Sequence, residues 1–150
     1  MQPKTHKAYG LIVFCEQSQK FALAHNNQGF WEFPKGYPEK NDKSEIESAM
    51  REFEEETGIK RNLIVLEESV KQGELKTSYL RFGKYQKEAH YYLGYIKNEE
   101  KFIIQEQEIK NAGWFTSQQV EEKLGFLELK KLFEKVIEIL KDKKKIKTID

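Results

Sequence analysis

A helix with three acids on one side and an apolar stripe on the other constrains this chain more than any other stretch. Residues 44–58 read Ser-Glu-Ile-Glu-Ser-Ala-Met-Arg-Glu-Phe-Glu-Glu-Glu-Thr-Gly. Ser44 supplies an N-cap, and Glu47 three residues on completes a capping-box pattern. Ile46, Ala49, Met50, Phe53 and Thr57 recur at helical spacing, so that face is expected in a core. Gly58 stops the helix where a left-handed residue is commonly needed. Glu52, Glu55 and Glu56 crowd the opposite side within two turns, a spacing at which like charges repel. Helix propensity does not explain them, because Gln or Lys would serve as well. A hard cation does. Mg²⁺ takes oxygen ligands, keeps several waters, and binds carboxylates together with substrate phosphates. Arg51 stands four residues from both Glu47 and Glu55, where a planar guanidinium can hold either by paired hydrogen bonds. On spacing alone, a solvated Glu-rich face is the plain alternative.

The chain of 150 residues is expected to be one domain with a real core, residues 1–7 and 142–150 being loose tails. Its 26 basic and 25 acidic residues nearly cancel, for a net charge of +1. A general nucleic-acid footprint would need a strong basic excess. The single Cys15 sits in an apolar run, suits a reduced interior and allows no disulfide within the chain. The run Leu11 to Cys15 is far too short for a signal-peptide core or a membrane span. The chain is expected to be soluble, cytoplasmic and monomeric, without a membrane partner.

Along the chain, Ala8 to Cys15 predicts a buried strand and Phe21 to His25 its hairpin partner. Phe30 to Gly36 is expected extended, since Pro34 disfavours helix before it. Asn62 to Val70, Lys76 to Lys84 and Glu88 to Lys97 predict further strands, and Trp114-Phe115 a short buried one. Thr116 with Gln119 makes a second capping box for a short helix that Gly125 ends. Leu129, Leu132, Phe133, Val136, Ile137 and Leu140 form the apolar stripe of a last helix over 127–141. The Lys141 to Lys147 run is expected to fray as a solvated tail. Strands around one helix, with another helix at the end, predict an α/β fold with a mixed sheet between helical layers.

Read whole, residues 36–59 resemble the Nudix box. Gly36, a loop, then Arg51, Glu52, Phe53, Glu55, Glu56, Gly58 and Ile59 fit its pattern. Gly36 and Arg51 stand one position further apart than is usual in the family, a one-residue loop insertion. Asp42 takes the loop's acid position counted from Gly36, and Lys43 takes it counted back from Arg51. The family implies an α/β/α sandwich. Trp31-Glu32-Phe33-Pro34-Lys35-Gly36 is similar to the W-x-x-P-K-G run of diadenosine tetraphosphate hydrolases, with close variants in RNA 5′-pyrophosphohydrolases. Tyr79, Lys87, Tyr91-Tyr92-Leu93, Glu108 ahead of Trp114, and Phe126 resemble that subfamily in order; Ala112 departs from it, where Tyr is frequent.

The resemblance implies roles. Glu52, Glu55, Glu56 and Glu108 are the expected ligands of Mg²⁺, with Mn²⁺ as a substitute, and Arg51 orients the helix acids. Glu56 or Glu108 is the expected base, and Glu106 is open as the alternative to Glu108. Trp31, Lys35, Gly36, Tyr79, Lys87 and Phe126 are expected at the substrate, the lysines on phosphates and Tyr79 with Phe126 around an adenine. For each aromatic residue, core packing is the alternative role. The implied reaction is hydrolysis of diadenosine tetraphosphate to ATP and AMP. The alternatives are an RNA 5′-pyrophosphohydrolase or nucleoside triphosphate pyrophosphohydrolase on the same scaffold, or a nucleotide-binding regulator without catalysis. Nucleic acid is a partner only under the RNA alternative.

Overall fold

A computed structural model describes residues 4–81, 85–104 and 109–147. Strand β1 (Lys4–Cys15) forms the spine of the fold, pairing in parallel with β7 (Tyr85–Ile96) along its whole length, from Lys4 opposite Tyr85 to Cys15 opposite Ile96. On its other side lie β2 (Lys20–Asn26) and the two-residue β4 (Lys35–Gly36), both antiparallel. β3 (Trp31–Glu32) and β8 (Ile109–Phe115) pair with β2, while β5 (Val65–Leu66) and β6 (Leu75–Arg81) pair with β7. The result is a mixed sheet, as the alternation of elements predicts.

Side-chain alternation along β1 and β7 feeds two cores, one on each face of that sheet. Leu11, Val13 and Cys15, with Tyr92 and Ile96, meet Ala49 and Phe53 of α1 (Glu45–Thr57). Ile12 and Phe14, with Tyr91 and Leu93, meet Leu129, Leu132, Phe133 and Val136 of α3 (Leu127–Asp142). The short α2 (Ser117–Lys123) closes the same side through Val120.

Several expectations change. The polar start of the chain is not loose from Lys4 onward, because the parallel ladder with β7 recruits it. The stretch 62–70 is not one strand. It forms a 3₁₀ turn over Arg61–Leu63, two residues of β5 and then turns, with Leu63 and Val65 exposed. β8 is longer than the expected Trp114-Phe115, and both of those residues are only partly buried. The basic run does not fray through residue 147: α3 reaches Asp142, and the following turn is hydrogen-bonded to Gln19.

Helix α1 begins and ends where its cap residues stand. Ser44 Oγ accepts from the Glu47 amide at 3.1 Å, and Gly58 takes a left-handed conformation (φ 76°) with its amide on the Glu54 carbonyl. The capping box is not reciprocal, since Glu47 accepts from the Lys43 amide instead. Ile46 is exposed, and Ser48 takes a buried place on the inner face. Two tyrosines tie the first helical residue to the sheet: Tyr9 and Tyr92 both donate to the Glu45 carboxylate, at 3.0 and 3.3 Å. The box at Thr116 and Gln119 is complete in both directions.

Candidate active site

Arg51 is buried and gathers the loop and helix acids around itself. Its Nε donates to Asp42 at 2.9 Å, one terminal nitrogen to Glu52 and Glu55 at 3.1 and 3.0 Å, and the other to Asp42 and the Tyr37 carbonyl, both at 2.9 Å. The expected contact with Glu55 is there; Glu47 serves the Lys43 amide instead. Asp42 is the partner that helix spacing alone does not reveal. Its side chain is 6% exposed and also accepts from Ser48 Oγ at 2.7 Å and the Glu39 amide at 2.8 Å. Hydrogen bonding from Arg51 holds the Asp42 carboxyl well below the usual carboxylate range. Counting from Gly36 therefore finds the loop's acid; the inserted residue lies between Asp42 and the helix.

Glu52 reaches this network across Gly36. A Cβ at Gly36 would collide with the Glu52 carboxylate, so the bare glycine lets the entering strand and the acid helix meet. Glu56 lies one turn on and is only 7% exposed. Its Oε2 is buried without a hydrogen-bond partner. Burial pushes the Glu56 carboxyl up to about 9, and the neighbouring Glu32 and Glu52 push the same way. The Lys35 ammonium and backbone amide oppose them. Lys35 is itself paired with Glu32 at 3.0 Å, both side chains largely covered. Glu32 is a site residue missed by sequence reading, although its place three residues before Lys35 was a usable signal.

Lys35 and Glu32 also line a cleft of about 150 Å³ with Thr77, Tyr91, Phe126 and Glu128. Phe126 occupies the position just before α3 without a capping hydrogen bond, is 40% exposed, and lies against Phe30 with ring centroids 5.0 Å apart. Lys87 stands 5.7 Å from the centre of the ring of Tyr37, the residue that follows β4. Tyr79 pairs in register with Lys87 across β6 and β7. Glu106 and Glu108 lie outside the described residues. Trp31 is placed elsewhere: it stacks on His25 at 4.8 Å, meets Phe115 edge-on at 5.0 Å, and carries the Lys123 ammonium 4.9 Å above its ring. It is not among the residues lining the cleft.

Among the described residues no three acids, histidines or cysteines close into a ready-made metal cage. Glu52 and Glu55 are shared with Arg51. The donor set is nevertheless all oxygen, and the buried Glu56 Oε2 lacks the hydrogen-bonding partner that such a group normally has. These residues fit a hard divalent cation.

The fold is shared with known proteins. The model of the NUDIX domain matches residues 4–136. A C. elegans Ap4A hydrolase, solved as a binary complex, superposes with a TM-score of 0.80 at 23% identity, covering 91% of this chain and 98% of that one. The NUDIX domain of Shewanella oneidensis NrtR, complexed with ADP ribose, gives 0.73 at 17% identity over 93% and 90%. The E. coli dihydroneopterin triphosphate pyrophosphohydrolase gives 0.70 at 13% identity over 90% and 97%. At these identities the structures share the fold. The family model spans most of the chain, and with the acid helix, its arginine and its glycine in place, this protein belongs to the Nudix hydrolase family.

Proposed function

We propose that the protein hydrolyses a nucleoside polyphosphate, with diadenosine tetraphosphate cut asymmetrically to ATP and AMP as the preferred reaction. The observation that carries this reading is the buried, unpartnered Glu56 Oε2, beside a cleft that offers Lys35 and an exposed Phe126 ring. Glu52, Glu55 and Glu56 would hold Mg²⁺ or Mn²⁺, with Glu108 as an additional candidate. When bound, the cation supplies positive charge against the phosphates and makes water more acidic.

The chain's own residues supply the rest. Arg51 fixes the rotamers of Glu52 and Glu55, and Asp42 fixes Arg51. Lys35 offsets phosphate charge at the cleft. Phe126 offers a face for a purine, which stacks without needing a matched hydrogen-bond pattern. Glu56, or Glu108 in its place, accepts the proton from attacking water. Water then adds at the phosphorus nearest one adenosine, the bridging P–O bond breaks, and ATP leaves from AMP. The Ap4A hydrolase likeness supports this substrate among those open to the family.

The test is turnover of diadenosine tetraphosphate with Mg²⁺, with the products separated by chromatography. Equal ATP and AMP is the expected result. Two ADP would move the point of attack to the middle of the chain. Silence here, with activity on 5′-triphosphate RNA, would replace this reading with the RNA pyrophosphohydrolase.

A further inference from the structure

We propose that a lysine-lined cleft behind the sheet binds a chain of condensed phosphates, as a site separate from the acid helix. β1 and β7 run in parallel and end side by side at Cys15 and Ile96. The cleft opens there, with a volume of about 630 Å³, large enough for a small ligand. Lys97 follows β7, and Lys143, Lys144, Lys145 and Lys147 come from the turn after α3. From Gly10, beside Lys35, to Cys15 is roughly 17 Å at strand rise, so this cleft lies well away from Lys35 and the cleft it lines.

The lysines are held in place. Gln19 and Lys144 both adopt left-handed backbone conformations, φ 61° and 58°, which ordinary residues take when their surroundings impose it. Gln19 Nε2 donates to the Lys145 carbonyl at 3.2 Å, and Gln19 Oε1 accepts from the Lys147 amide at 2.9 Å. The Lys145 amide returns to the Leu140 carbonyl at 2.8 Å. The Lys145 ammonium sits 4.6 Å from the centre of the Tyr95 ring and 3.3 Å from Glu16. Glu16 is the one acid lining the cleft among the described residues, and Lys145 engages it. Lys97, Lys143, Lys144 and Lys147 stay exposed around the opening.

Lys143 also feels the Glu67 carboxylate, but exposed ammonium groups gathered at one concavity repel one another unless an anion lies between them. Lysines are compact point charges and set no planar, two-pronged geometry, so they suit dense charge rather than one orientation. Among the described residues no aromatic side chain lines the cleft, which leaves no stacking platform for bases. Linked phosphates fit; a base-reading nucleic-acid groove does not.

The test uses the full chain in EDTA at about 0.15 M salt, where more distant surface charges are screened. Sodium tripolyphosphate is titrated while amide NMR shifts are followed. The expected shifts fall on Gln17, Lys97, Asn98 and residues 143–147, and Lys97→Gln/Lys143→Gln/Lys147→Gln weakens binding at least about tenfold. The matching triple Lys→Arg variant retains binding, which separates charge from folding. Shifts confined to residues 35–56, or equal affinity in the Gln variant, would overturn the proposal. So would tighter binding of a 5′-hydroxyl oligoribonucleotide at these residues. Adenosine tetraphosphate decides the source: affinity equal to tripolyphosphate points to an inorganic chain, and a gain from adenosine points to a nucleotide, both upholding a phosphate site. No outcome depends on turnover, so this proposal and the hydrolase reading can fail separately.

Discussion

Arg51 and Glu56 stand little more than one turn apart on α1 and are provided for in opposite ways. Around Arg51 the charges are matched: one guanidinium faces Asp42, Glu52 and Glu55, and the loop closes over it through the Tyr37 carbonyl. Around Glu56 the match is poorer: one oxygen is buried without a hydrogen-bond partner, two other acids lie nearby, and Lys35 opposes them only in part. A satisfied buried network rigidifies a structure, whereas an unsatisfied one costs stability. Under the proposed function the first region is scaffold and the second is where the cation would bind.

The largest effect is expected at the unmatched end. Glu56→Gln keeps the size and removes the charge, so turnover should fall about 10³-fold with the circular dichroism spectrum unchanged, the order expected for losing a positioned base. A near wild-type rate with Mg²⁺ present would refute the role. At the matched end the loss should appear in folding. Arg51→Ala leaves several covered acids without their cation and should cost about 3 kcal/mol in urea denaturation. If stability held and only activity fell, the scaffold reading of Arg51 would be wrong.

Gly36 joins the two regions. Gly36→Ala puts a methyl group where the Glu52 carboxylate lies, so Glu52 must shift. Displacing a catalytic group by about 1 Å costs on the order of 10²-fold in rate. Turnover should fall by that factor with little loss of stability, and added Mg²⁺ should restore only part of it.

The matched and unmatched ends also differ in their response to pH. Burial raises Glu56 to about 9 from its ordinary 4.5, so the folded chain binds that proton more tightly than the unfolded one. Its contribution favours folding fully below the unfolded value and is lost as pH rises toward about 9. In EDTA the urea midpoint should therefore fall across that window, and Glu56→Gln should flatten the slope. At the alkaline end the variant should be more stable than wild type by about 1–3 kcal/mol, the order of an unsatisfied buried polar group. A midpoint that rises through the same window would show that Glu56 finds a partner.

The acid helix was legible because its information is local. Ser44, Gly58 and the positions of Ala49 and Phe53 follow from spacing within one element, and the structure keeps them. What could not be read locally came from across the sheet. Ile46 fits the apolar stripe but lies exposed near the helix start, where Ser48 turns inward to Asp42. The apolar run at 62–70 resembles a strand, yet of its apolar residues only Ile64 and Val70 are buried, Ile64 filling the space that Gly94 leaves by lacking a Cβ. The polar Lys4 to Lys7 becomes a strand because β7 lies beside it. Asp42 was visible only as one of two ways to count a loop, and three-dimensional closure on Arg51 chose between them.

The smallest effect separates two aromatic residues that sequence resemblance sends to the same substrate. Phe126 lines the cleft with Lys35 and is 40% exposed, whereas Trp31 is stacked between His25 and Phe115 under Lys123. Stacking a base on an aromatic ring contributes about 1–3 kcal/mol, so Phe126→Ala should raise KM for diadenosine tetraphosphate roughly tenfold. Its kcat should change little, because the ring is expected to hold the substrate equally in the ground and transition states. Trp31→Phe should do the reverse, lowering the urea midpoint slightly through lost packing while KM holds. If Trp31→Phe raised KM and Phe126→Ala did not, the purine would lie toward β3 and α2, and the cleft beside Phe126 would serve another part of the substrate.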